Sequence, residues 1–186
     1  MIGFALTGSF CTVSKCLSLM ERMVINGYEI LPIMSENLYS TDTRFGAAKE
    51  VVDKAIKISK REVIHTIHDA EPLGPSTKLE AMVICPCTGN TLAKIANGIT
   101  DTAVCMAAKA HLRNDRPLII ALASNDALSA NLKNIGTLLT RKNVYFVPMQ
   151  QDDPQSKPHS LVAEFDMLPT VIEYAFKGKQ YPKIFL

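Results

Sequence analysis

Short apolar runs alternate with amphipathic stretches from the first residue of the chain to about Val147, and this alternation limits the possible folds most strongly. It is typical of βαβ units, in which helices cover both faces of a parallel sheet. The sequence therefore predicts an α/β fold of three layers, with a largely parallel central sheet flanked by helices. The predicted strands are residues 2–7, 28–34, 62–67, 81–85, 117–123 and 144–147.

Helices are predicted where apolar residues recur at helical spacing. The first helix follows residues 8–12 and ends at Gly27. Others are predicted from about Phe45 to Ile56, after residue 91, over residues 102–112 and 127–140, and after Pro169. Residues 150–160 are polar and contain Pro154 and Pro158, so we predict a long loop there.

Composition restricts the class of protein. The chain has 186 residues, 47% hydrophobic and 20% charged, which fits a single globular domain over residues 1–186. It contains no run of the ~20 apolar residues that a membrane span needs, and its start lacks the features of a signal peptide, so we expect a cytoplasmic protein with no membrane partner. The net charge of +2 is spread along the chain, and we expect no nucleic-acid partner.

The cysteines do not predict a metal site or a disulfide. They are five in number and lack C-x-x-C spacing. Cys85 and Cys87 alternate along a predicted strand, which places their sulfurs on opposite faces. We predict buried free thiols, Cys11 in the first turn included.

The segment Pro86-Cys87-Thr88-Gly89-Asn90-Thr91 lies at a predicted strand-to-helix turn. The first turn of a helix has unpaired backbone N–H groups and a partial positive charge, which together stabilise a bound anion. Gly89 would let the backbone approach a ligand closely, and the neighbouring side chains add donors. A second interpretation, that Thr88 or Asn90 only caps the helix, remains open on these residues alone.

A second polar turn, Gly8-Ser9-Phe10, follows the first predicted strand. With an assumed strand order of 3-2-1-4-5, this turn and the segment 86–91 flank the crevice where open α/β sheets bind ligands. Their convergence favours a phosphate site. Because the G-x-G-x-x-G fingerprint is absent, a single phosphate is favoured over a dinucleotide.

Four further residues are candidates for the same site. Ser35 follows the second strand and Asn125 follows the strand at 117–123, although serine is commonly a turn former and asparagine a helix cap. His65 and His68 precede the central turn and titrate near neutrality, which suits acid–base catalysis. A lone histidine beside an apolar run is more often structural. Catalysis is therefore assigned to no residue, with Asn125, His65 and His68 as candidates.

The segment 86–101 resembles the P-A-S-A-N-T-x-A-K-x-A-x-G-x-x-D signature of the flavin-mononucleotide-binding (FMN-binding) cysteine decarboxylase superfamily. Pro86, Asn90 and Thr91 match it, whereas Gly89 stands where the signature has alanine. A later family element, P-x-M-N-x-x-M-W, is matched at Asn125 only. The resemblance implies a Rossmann-like flavoprotein fold with FMN as cofactor. With the neighbours Phe10 and Gly89 added, the cofactor-binding residues predicted are Gly8, Ser9, Phe10, Ser35, Thr88, Gly89, Asn90 and Thr91.

Other stretches, among them residues 5–11, 134–136, 141–148 and 151–154, resemble one branch of this superfamily, the B subunits of a two-subunit oxidoreductase. This resemblance implies a partner A subunit that binds NADP, and the oxidation of dihydrodipicolinate, a cyclic dicarboxylate, to dipicolinate. It also implies the mother cell of a sporulating bacterium as the location and a homo-oligomer based on trimers.

Two alternatives to a flavin-dependent oxidoreductase subunit are open. The incomplete second element and the loop after residue 150 suit a subunit that has lost the cofactor and serves to assemble or activate the A subunit. The other alternative is a flavin-dependent decarboxylase or prenyltransferase. Neither His65 nor His68 lies in a matching motif, which disfavours decarboxylation of a peptidyl cysteine.

Overall fold

A computed structural model describes residues 1–186 and contains a central sheet of seven strands. The strand order is β2-β1-β3-β4-β7-β6, with β5 pairing with β4 as well. The strands β1 to β5 are parallel, whereas β7 is antiparallel to both β4 and β6. Their bounds are β1 Ile2–Leu6, β2 Ile30–Met34, β3 Ala81–Cys87, β4 Leu118–Ser124, β5 Val144–Phe146, β6 Met149–Gln150 and β7 Leu161–Ala163.

Eight α-helices surround the sheet, and a short 3₁₀ helix, Phe165–Met167, precedes the last of them. None of these helices has the length and apolar character needed to span a bilayer. The helices are α1 Phe10–Ile25, α2 Glu36–Ser40, α3 Ala48–Ser59, α4 Ile67–Ala70, α5 Gly89–Ala96, α6 Ala103–Leu112, α7 Leu132–Leu139 and α8 Leu168–Phe176.

The core lies on both faces of the sheet. On one face, 29 buried residues join the sheet to α1, α3 and α8. On the other, 25 buried residues join it to α5, α6 and α7. The central strands β3 and β4 are buried along their whole length, as expected for strands covered by helices on both sides. This architecture confirms the predicted three-layer α/β fold of Rossmann-like type.

The predicted adjacency of the first and fourth apolar runs is also confirmed. β1 pairs in parallel with β3, so the turns that follow these two strands lie at the same edge of the sheet. The predicted third strand, residues 62–67, is reduced to a single bridge between Ile33 and Ile64. The chain forms the short helix α4 directly afterwards, capped by Thr66.

Three other expectations were wrong. The helix predicted from Phe45 begins at Ala48, because hydrogen bonds between Thr43 and Gly46 close a tight turn first. The helix predicted from residue 127 begins at Leu132, because the preceding residues fold into turns whose amides bond to the Asp126 carbonyl. All five cysteines are free, and four of them are buried, but Cys11 is exposed in the first turn of α1.

Candidate functional site

Two neighbouring clefts open at the carboxyl ends of β1, β3 and β4. We call the first, of about 440 Å³, the polar cleft; its walls include Ser35, Asn37, Thr88, Asn90, Thr91, Lys94 and Asp101. We call the second, of about 600 Å³, the broad cleft; its walls include Ser9, Arg44, Phe45, Gly89, Asn125, Asp152 and Lys157. Gly8, Phe10 and Thr88 line both. All eight residues predicted to bind the cofactor therefore line one cleft or both.

Thr7 joins the ends of β1 and β3. Its buried hydroxyl donates to the Pro86 carbonyl at 2.8 Å and accepts from the Thr88 amide at 2.9 Å. The Thr7 amide also donates to the Pro86 carbonyl. These bonds hold the turn after β1 against the start of α5, which is how the structure brings the two predicted turns together.

The first turns of α5 and α1 present free backbone donors at this edge. Thr88 caps α5, because its hydroxyl accepts from the Thr91 amide at 3.3 Å. The capping interpretation is thus correct for Thr88, but it leaves the amides of Gly89 and Asn90 without a protein partner. In α1 and the turn before it, the amides of Gly8, Phe10 and Cys11 also lack one. Donors at two helix starts favour an anion between them.

Ser35 supplies a further donor in the wall of the polar cleft. Its hydroxyl oxygen is buried and forms no hydrogen bond with the protein, although its amide donates to the Leu6 carbonyl at 3.0 Å. A buried polar group without a partner destabilises a folded protein by about 1–3 kcal/mol. A ligand oxygen would satisfy this hydroxyl, so the residues present fit the phosphate of FMN.

Packing alone requires glycine at position 89, whether or not a ligand binds there. A Cβ at this position would lie 2.5 Å from the Ser124 hydroxyl oxygen and 2.6 Å from the Asn131 side-chain nitrogen. The close approach that requires glycine is therefore made by the protein's own side chains, and no ligand is needed to explain it. This also accounts for glycine where the family signature has alanine.

Those side chains belong to a hydrogen-bonded network around Asp126, which no pattern in the sequence indicated. Ser124 donates to the Asp126 carboxylate, and Asn131 donates to both of its oxygens at 2.9 and 3.0 Å. Asn134 donates in turn to Asn131 at 2.8 Å. The hydrogen bond from Ser124, with that from Asn131, lowers the pKa of Asp126 below its usual range. The network fixes the residues on either side of Asn125, which is exposed and lines the broad cleft.

Three charged side chains line the broad cleft, and none of them was among the residues predicted for the site. Lys157 forms an ion pair with Asp152 at 2.9 Å, which lowers the pKa of Asp152 and raises that of Lys157. Arg44 lies beside the ring of Phe45, with 4.9 Å between the guanidinium carbon and the ring centroid. The only signal in the sequence was the polar composition of the two loops that carry these residues.

The two histidine candidates lie elsewhere. The ring of His65 stacks on that of Tyr39, with centroids 3.6 Å apart, and His68 is exposed beside Asp69. Neither lines either cleft. Among the candidates for catalysis, the structure therefore brings only Asn125 to the predicted site. No group of three or more His, Cys, Asp or Glu residues is placed to hold a metal ion.

Comparison with known proteins gives the same family from sequence and from structure. The flavoprotein family profile matches residues 1–169. The B subunit of dipicolinate synthase from Bacillus subtilis (strain 168) is 46% identical over 183 residues, which are 98% of this chain and 92% of that protein. The flavin prenyltransferase UbiX of Thermoplasma acidophilum is 33% identical over 124 residues, 61% of this chain and 68% of that protein.

Two solved structures share the fold of this chain. The crystal structure of the dipicolinate synthase B subunit from Bacillus halodurans C superposes with a TM-score of 0.91 at 44% identity, covering 100% of this chain and 95% of that chain. The FMN-dependent cysteine decarboxylase SpaF superposes with a TM-score of 0.69 at 19% identity, covering 94% and 95% of the two chains, and shows a shared fold.

Proposed function

The chain belongs to the flavoprotein family, and from this premise we propose that it acts as the B subunit of a dipicolinate synthase. In this role it binds an A subunit that carries NADP, and the complex oxidises dihydrodipicolinate to dipicolinate in the mother cell of a sporulating bacterium. The observation that carries the proposal is the similarity to a dipicolinate synthase B subunit along almost the whole chain. We expect the chain to form a homo-oligomer based on trimers.

The proposed cofactor is FMN. Ser35, Asn90 and Thr91 in the polar cleft would hold its phosphate, together with the free amides at the starts of α1 and α5. Gly8, Ser9, Phe10, Thr88 and Gly89 would hold the remainder along the broad cleft. When bound, FMN supplies the capacity to accept a hydride from a substrate ring.

The protein's own contribution to the reaction is binding and orientation. Asn125 lines the broad cleft, and its amide offers both a donor and an acceptor to a substrate carboxylate or ring nitrogen. Its neighbours Ser124 and Asp126 are fixed by hydrogen bonds, so its backbone is held in place before substrate binds.

Replacing Ser35 with alanine tests the cofactor site. Because its hydroxyl has no partner in the protein, Ser35→Ala should leave the free energy of unfolding of the FMN-free protein unchanged or raise it. The same change should raise the Kd for FMN about tenfold, because a hydrogen bond to a charged phosphate is lost. Titration monitored by flavin fluorescence and urea unfolding measure the two effects.

Ser40→Ala is the matched control, because the Ser40 hydroxyl donates to a carbonyl within its own helix and lines neither cleft. It should leave the Kd for FMN unchanged. An unaltered Kd in the Ser35 variant would contradict the proposed place of the phosphate. Failure of the parent protein to bind FMN, alone and with the A subunit, would contradict the flavin proposal as a whole.

The absorption spectrum of the freshly purified complex of A and B subunits tests the function more directly. We expect a flavin spectrum and formation of dipicolinate from dihydrodipicolinate. Replacement of Asn90 and Thr91 with alanine should abolish the flavin spectrum and reduce dipicolinate formation. If these variants keep full activity and full binding to the A subunit, the protein has an assembling or activating role instead.

A further inference from the structure

The charged side chains that line the broad cleft carry a net positive charge, which favours an anionic ligand. Of its three charged side chains, Asp152 and Lys157 neutralise each other at 2.9 Å. Arg44 has no carboxylate within ion-pair distance and forms no hydrogen bond through its side chain. The cleft therefore contains one uncompensated positive charge, at a group suited to bidentate binding of a carboxylate.

Arg44 is held at the tip of an ordered turn. The backbones of Thr43 and Gly46 exchange hydrogen bonds at 3.0 and 3.1 Å, and the Phe45 amide donates to the Thr43 hydroxyl at 3.1 Å. Asp42 is the acidic residue nearest to Arg44 in the sequence. Its carboxylate accepts a hydrogen bond from the Ala48 amide at 2.8 Å, at the start of α3, and does not pair with Arg44. The Phe45 ring supports the guanidinium group. A cation held in this way loses less conformational entropy when it binds a ligand.

We propose that Arg44 is the residue that selects a carboxylated ring in the broad cleft, by binding one ring carboxylate through its guanidinium group. The inference rests on the proposed function, which supplies a cyclic dicarboxylate as substrate and product. The second carboxylate then lies toward the other cleft walls, where Asn125 offers an amide donor. Arg44 thus determines which ring compounds bind, and the FMN site determines whether they are oxidised.

Isothermal titration calorimetry of the FMN-loaded protein, with and without the A subunit, tests the inference with dipicolinate and with the uncharged pyridine-2,6-dicarboxamide. The parent should prefer the dicarboxylate. Arg44→Gln should raise the Kd for dipicolinate at least about tenfold and remove most of this preference, because a charge-assisted bidentate contact is lost. The Kd of Arg44→Lys for dipicolinate should lie between those of the parent and Arg44→Gln, since lysine keeps the charge but lacks the planar group that binds a carboxylate at two points.

Arg113→Gln is the matched control, because it removes the same charge from an exposed residue that lines neither cleft. It should bind dipicolinate like the parent. All variants should keep the parent's midpoint of urea unfolding, because Arg44 and Arg113 are exposed. Each calorimetric titration uses saturating FMN, so a change in FMN affinity does not enter the comparison.

The outcomes separate the inference from the proposed function. If the parent prefers dipicolinate and Arg44→Gln prefers it equally, the role of Arg44 is wrong and the proposed function stands. If the parent binds FMN but shows no preference for dipicolinate in either state, both the role of Arg44 and the proposed substrate are wrong.

Discussion

Gly89 begins α5 directly beside the loop that follows β4, and the space next to its Cα is filled by Ser124, Asp126 and Asn131. Gly89→Ala should therefore lower the free energy of unfolding by about 1–3 kcal/mol, because the new methyl group overlaps side chains fixed by mutual hydrogen bonds. Urea denaturation at neutral pH measures this change.

Gly136→Ala provides the contrast at another helical glycine. A Cβ at position 136, within α7, meets no other atom within 4 Å. This substitution should raise the free energy of unfolding by about 0.5–1 kcal/mol, because glycine is a poorer helix former than alanine. Equal effects of the two substitutions would show that the crowding at Gly89 is not what requires glycine there.

At the scale of single residues, the sequence predicted where Gly89 lies but not why it is glycine. The crowding comes from residues about 35 to 42 positions further along the chain, and no local pattern carries that information. The same limit applies to Arg44. It lies in a turn that shows no periodicity, and its relation to the cleft depends on where the loop of residues 151–160 folds. Ser35 and Thr88 could be predicted because each directly follows a strand.

Among the structural elements, the junction of β1, β3 and α5 depends most on one side chain, Thr7. Thr7→Val keeps the shape of the residue but removes the hydroxyl that pairs with both the Pro86 carbonyl and the Thr88 amide. It should lower the free energy of unfolding by about 2–3 kcal/mol, since it leaves a buried donor and acceptor less well satisfied. Chemical denaturation of the cofactor-free protein measures the loss.

Thr7→Ser separates the hydrogen bonds from the packing at this junction. It keeps the hydroxyl and deletes one methyl group, so it should cost only about 1 kcal/mol. If serine proves as damaging as valine, packing of the Thr7 methyl group, and not the link between the two turns, stabilises this edge of the sheet.

The sequence predicted the long central elements and even the short strand β5, whereas it did not predict β6 and β7, for a physical reason. β3, α5 and β4 each contain at least seven residues and show a helical period or an apolar run of five or more. β6 and β7 contain two and three residues, and they exist because β7 pairs antiparallel with the end of β4 beyond the reach of β5. Strand pairing of this kind follows from the tertiary fold.

For the molecule as a whole, the site and the core are separated. The clefts lie at the carboxyl edge of the sheet, whereas the two buried clusters lie on its faces beneath the helices. Most of the apolar burial that stabilises the fold therefore lies outside the clefts, although Thr7 and Gly89 contribute to stability at the cleft edge. The pH dependence of unfolding should report on the core, and His111 is the buried group through which it does so.

His111 is 2% exposed in α6, and its Nε2 donates to the Pro117 carbonyl at 2.9 Å. Burial lowers its pKa from 6.5 to about 4. As the pH falls, the imidazole of His111 is protonated in the unfolded chain before it is protonated in the folded protein. The free energy of unfolding therefore decreases between pH 6.5 and 4, by about 2 kcal/mol at pH 5 from this residue.

Urea unfolding at about pH 7 and 5 measures this decrease. His111→Gln should lose the difference in free energy of unfolding between the two pH values, whereas His159→Gln, at an exposed position, should keep it. An unchanged pH dependence in His111→Gln would contradict this role of His111, because the loss of stability at low pH would then come from other groups.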